Sequence, residues 1–110
     1  MSVNGIWKVE MLGLYGWESM STAFLEDGRY LSSSQDHYAV GQYKLKGNEI
    51  KVTTTMHSHG NVRTMFGARN RQMKLSFEGT VNGDQISGQA EDKKEKHSIS
   101  FRATRLADLD

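Results

Sequence analysis

His57 and His59 stand two residues apart in a chain of 110 residues that has no cysteine. On an extended strand, side chains two apart share one face, so both imidazoles point the same way. That spacing suits chelation of zinc or copper. A catalytic zinc site needs a third ligand with its own supporting contacts, and His37 and His97 offer one by residue type alone. The plainer reading is a polar strand end, so no metal and no cofactor is expected. Beyond this pair, residues 60 to 70 place Val62, Met65 and Phe66 among Arg63 and Arg69. Arginines pair with carboxylates, and a buried aromatic ring anchors an interface. The residues expected to bind a partner are therefore His57, His59, Arg63, Phe66 and Arg69.

Other chemistries find less support. Without cysteine there is no thiol nucleophile, no thiolate metal set and no disulfide framework. No serine sits in a G-x-S-x-G elbow. The carboxylate pairs Glu26-Asp27 and Glu91-Asp92 fall in expected turns, where solvent keeps both groups ordinary. Glycines stand singly at turns and strand ends and do not form a phosphate loop. No catalytic residues are expected.

Charge is placed unevenly along a chain whose formal total is +1. Residues 1–36 carry −3, residues 37–77 carry +6 and residues 78–110 carry −2. The centre of the basic block is Arg63, Arg69, Arg71 and Lys74. Such a block is a solvated face or a contact site for an acidic partner. Arginines around Phe66 also suit stacking on nucleic acid, but a nucleic-acid domain is usually more basic throughout. A protein partner is therefore expected ahead of nucleic acid.

The elements that must carry these residues are short strands. Extended segments are expected at Ile6 to Leu12, Met20 to Leu25, Arg29 to Ser34, Tyr38 to Lys46, Ile50 to His57, Met73 to Val81, Gln85 to Ala90 and Ser98 to Arg105. Asp27-Gly28 and Asn82-Gly83 are strong hairpin turns, since type I′ turns need positive φ. Leu106 to Asp110 reads as a frayed tail or one helical turn, and Val62 to Ala68 as a possible short helix. Alternation puts Trp7, Val9 and Met11 on one face. Ile50, Val52, Thr54 and Met56 share another, as do Met73, Leu75 and Phe77, and also Ile99, Phe101, Ala103 and Arg105. Eight such strands in a meander predict an all-β fold, an eight-stranded antiparallel up-and-down β-barrel with no free edge. One domain is expected over residues 1–110. No apolar run is long enough to span a bilayer as a helix, and the first residues lack a signal-peptide pattern. No membrane partner and a cytoplasmic location are the expectations.

Gly5-x-Trp7 near the start and Phe101-x-Ala103-x-Arg105 near the end resemble the lipocalin-like (calycin) barrels. The resemblance implies that Trp7 closes the barrel floor and Arg105 lies over its indole. A second resemblance covers most of the chain. Asn4-Gly5-x-Trp7, Ser21 to Leu25 with Asp27-Gly28, Asp36 to Gly41, and Ile50 to His59 with His57-Ser58-His59 are similar to the GrlR-like family. These are small lipocalin-like negative regulators of type III secretion genes. The likeness implies a barrel that binds protein, often as a homodimer. It departs at Lys46-Gly47-Asn48-Glu49, which has one acid where the best known member has an acidic run that grips its activator. The second reading is a carrier that holds a small lipid-like molecule in the barrel interior.

Overall fold

The computed structural model of the protein describes residues 2–58, 72–94 and 96–109. Eight strands follow one another: β1 (Gly5–Gly13), β2 (Gly16–Glu26), β3 (Arg29–Ser33), β4 (His37–Lys46), β5 (Glu49–Ser58), β6 (Gln72–Asn82), β7 (Gln85–Asp92) and β8 (Ser98–Asp108). Each pairs antiparallel with the next, and β1 pairs with β8. The result is the expected closed up-and-down barrel, consistent with calycin-like architecture. No helix among the described residues is long and apolar enough to cross a membrane.

Alternation explains the inside. Trp7, Val9 and Met11 of β1, Ile50 and Val52 of β5, Leu75 and Phe77 of β6, and Phe101 and Ala103 of β8 are all buried in one core. These are the faces that the two-residue period assigns. Phe77 sits at the centre, edge-on to Phe101 at 5.1 Å between ring centroids and tilted against Tyr30 at 6.1 Å. Offset and edge-on rings place positive edges against negative faces, which adds to their burial.

The seam between β1 and β8 is the most heavily bonded corner. Trp7 is 1% exposed, and its indole N–H donates to the Val3 carbonyl at 3.0 Å. The Arg105 guanidinium lies 4.5 Å from the indole centroid. Arg105 also donates to the Asn4 and Ser2 carbonyls and pairs with Asp84 and Asp108 at 3.0 Å. Gly5 makes room for this: a Cβ there would lie 2.6 Å from the Ala107 oxygen and 2.9 Å from Arg105 Nη1. Asn4 extends the closure sideways. It exchanges two hydrogen bonds with Asp27 and accepts a third from the Tyr43 hydroxyl.

Several boundaries differ from expectation. The tail does not fray after Arg105, because Ala107 and Asp108 pair with Ile6 and Gly5. The register shifts between Ile6 and Trp7, so Leu106 is skipped. Such a bulge turns a strand and re-aims its side chains, here leaving Arg105 opposite Trp7. The Asp27-Gly28 turn is as expected, with φ of 51° and 85°. The other expected turn shifts by one residue: Asn82 stays in β6 and pairs with Gln85, leaving Gly83-Asp84 as the loop. Strand β2 starts at Gly16, four residues before Met20, because Gly16 to Ser19 pair back onto β1. Asp92 is not a solvated turn carboxylate. It is 2% exposed at the end of β7 and accepts a hydrogen bond from the Lys94 backbone. The possible helix at Val62 to Ala68 lies outside the described residues.

The seam generates one prediction. Trp7→Ala removes the largest buried side chain and the surface under Arg105, and is expected to cost about 3–5 kcal/mol in urea unfolding. A variant that unfolds at the wild-type midpoint would show that the seam does not depend on this ring.

Candidate functional site

The interior has two unlike halves. Toward the floor, Trp7, Val9, Leu25, Tyr30, Ile50, Phe77 and Phe101 leave a void of about 30 Å³. Toward the other end, Ser21, Ser32, Ser34, His37 and Thr54 line a second void of about 30 Å³ together with Met11, Met20 and Met56. Burial pushes the Tyr30 phenol up, opposed by hydrogen bonds with Ser32 and Ser21. His37 Nδ1 lies 3.2 Å from the Ser34 hydroxyl. Its Nε2 and the Thr54 hydroxyl are buried without a protein partner among the described residues. Each void has room for a water or two, whereas small-molecule sites run to roughly 300–1,000 Å³. The interior is a packed core with a polar sector at one end.

The outer wall shows a different pattern. The strand register lines up Ile6, Phe24, Leu31 and Val40 across β1, β2, β3 and β4. Phe24 is 38% exposed, Leu31 37% and Val40 52%. The adjacent outward row includes Tyr38 and His57, which are paired across β4 and β5 with rings stacked at 4.9 Å. Toward the floor, Val40, Gln42, Lys44, Lys51, Thr53 and Thr55 line an open groove of about 540 Å³. Contiguous exposed apolar patches are favoured places for protein contacts.

Across the adjoining strands β8, β1 and β2, Arg102 stacks over Trp17 at 4.3 Å and bonds Glu10 at 3.0 Å. The hydrogen bond from Arg102 holds the Glu10 carboxyl below its ordinary value, against a smaller effect of burial. Two more apolar side chains, Leu14 and Tyr15, stand almost fully exposed at the tip of the β1–β2 turn.

The residues expected from sequence divide accordingly. Trp7 and Arg105 meet as barrel closure. His57 lies on the outer wall beside the apolar row. His59, Arg63, Phe66 and Arg69 lie outside the described residues. Among the described residues, no three of His, Asp and Glu gather as a metal set would require. The outer row itself was not anticipated. Its members lie on mostly polar outward faces of different strands, and only the pairing register brings them together. Their one signal in sequence is a large apolar residue on the polar side of an alternating strand, at Phe24, Leu31 and Val40. No family model matches the chain, and no curated protein matches it.

Two outcomes are expected from these arrangements. Thr54→Val removes a buried hydroxyl that no protein group among the described residues satisfies, so stability should hold or rise by about 1 kcal/mol. A loss of that size in urea unfolding would mean that a bound water satisfies the hydroxyl. For Glu10, a lowered folded-state pKa means its stabilisation is present above the unfolded carboxylate value. That stabilisation disappears as pH falls through the folded value. Glu10→Gln should therefore lower stability at neutral and alkaline pH, leave the most acid end unchanged, and so flatten the acid side of the profile.

Proposed function

We propose that this chain is a non-enzymatic, protein-binding regulator or adaptor, of the kind its resemblance to the GrlR-like regulators implies. The observation that carries the reading is the exposed row Phe24, Leu31 and Val40 on the outside of a barrel whose interior is filled. Leaving these side chains in water forgoes the stabilisation that burial provides, and a partner would recover it. The site is thus read as the wall of β2 to β5, with His57 at its margin and the segment bearing His59, Arg63, Phe66 and Arg69 continuing from β5. A second copy of the chain is one occupant that such a wall accepts. The carrier alternative is weakened by the two voids of about 30 Å³, which are too small for a lipid-like molecule.

The test uses wild-type chain and a Leu31→Asp/Val40→Asp variant as baits in host lysate. Both substitutions lie on exposed positions, so the variant should keep its melting temperature within a few degrees. The expected result is a protein retained by wild type and lost by the variant. Native mass spectrometry of the same preparations should show no lipid-like mass. A retained lipid, or equal capture by both baits, would defeat the proposal.

A further inference from the structure

Building on the protein-binding reading, we propose that the β2–β5 wall docks a partner segment whose apolar side chains are flanked by carboxylates. The apolar half of this pattern is the row already described. The charged half lies one and two rows closer to the floor. Glu26, Arg29, Gln42 and Thr53 align across β2 to β5, followed by Lys44 opposite Lys51. The next pair is Lys46 opposite Glu49. The outward positions of β3 to β5 below the apolar row thus hold Arg29, Lys44, Lys46 and Lys51 against Glu49 alone. Glu26 and Glu78 flank them on β2 and β6.

The Lys44–Lys51 pair is the most informative feature. Like charges directly opposite each other in a ladder destabilise it. Lys51 finds partial relief from Glu78 at 3.5 Å. Lys44 has no ion pair among the described residues. Both lysines line the open groove that begins at Val40, so the apolar row and the unneutralised charge share one surface. A local arrangement that costs stability and is only partly compensated within the fold points to a function outside it. An approaching carboxylate would meet both ammonium groups and remove the repulsion.

Strand spacing sets the scale of the partner. Neighbouring strands lie about 4.8 Å apart, so Phe24 to Val40 spans roughly 10 Å. Four residues along β4 separate Val40 from Lys44, or roughly 13 Å. A segment of two or three turns or a short strand covers that area, with its apolar side chains toward the mouth and its acids toward the floor.

The experiment titrates the isotope-labelled full chain with two synthetic peptides, followed by NMR. The peptides share one pattern of Leu and Phe, and their flanking positions are Glu in one and Lys in the other. The Glu peptide should shift the resonances of Phe24, Leu31, Val40, Lys44 and Lys51 and bind at least about tenfold tighter than the Lys peptide. Added salt should weaken it. A Lys44→Gln/Lys51→Gln variant, which removes the charge without setting acids against Glu78, should keep its melting temperature within a few degrees and lose that preference. Equal binding of both peptides at the row would overturn the acidic partner and leave the protein-binding reading standing. No shift in the row with either peptide would overturn both. Concentration-dependent shifts of the row without peptide would assign it to a second copy and overturn the proposal.

Discussion

The contact between Arg105 and Trp7 is the one on which the rest of the barrel depends. It lies where the first strand meets the last, and an up-and-down barrel is only as closed as that seam. The guanidinium covers an indole that would otherwise be open to solvent at the floor. The same group ties down the backbone of Ser2 and Asn4 and draws in Asp84 and Asp108. One side chain thereby links the residues before β1, the β6–β7 turn and the end of β8. Asn4 passes the restraint on to the β2–β3 turn and to Tyr43. Without the seam, β1 and β8 would each present an unpaired edge, and the core would lie open along its length.

The fold was legible because barrel strands obey a local rule. Trp7, Val9 and Met11 are inward for the same reason that Lys8 is outward, and neither needs a distant residue to decide it. Asp27-Gly28 is similarly local, since its positive φ values suit those residue types. Local patterning misleads where distant pairing overrides local preference. Ala107 and Asp108 are strand because β1 reaches down to them, although their own sequence reads as a loose end. Asp92 looked like a turn acid, yet it is buried while holding the backbone of the turn that follows. The outer row is the extreme case. Phe24, Leu31 and Val40 are up to 16 positions apart in the chain and become neighbours only through two registers. Of the site expected from sequence, His57 joins that wall, while the basic segment that follows it falls outside the described residues.

The interior of the barrel is largely filled. Barrels of this size either fill with side chains or hold one small ligand. Here Phe77, Phe101, Tyr30 and Trp7 fill the floor half, and methionines occupy much of the other. Met11, Met20 and Met56 are unbranched and adaptable, which lets them pack against a wall of hydroxyls that a branched side chain would fit poorly. On the exterior, the apolar and basic rows lie side by side.

The meander also has a consequence for the order of assembly. Seven of the eight pairings join strands that follow each other in the chain, so most can form early as separate hairpins. The eighth unites residues as far apart as Gly5 and Asp108. In a bare chain that closure would cost more entropy than any hairpin, by about 2 kcal/mol for a tenfold longer loop. Once the other pairings exist the curved sheet already brings its ends together, so the seam is the natural last step. Until that step, each molecule carries two bare edges. At high concentration the edge of another molecule competes for the place of its own last strand, and exchange of strands between copies is the failure this topology invites.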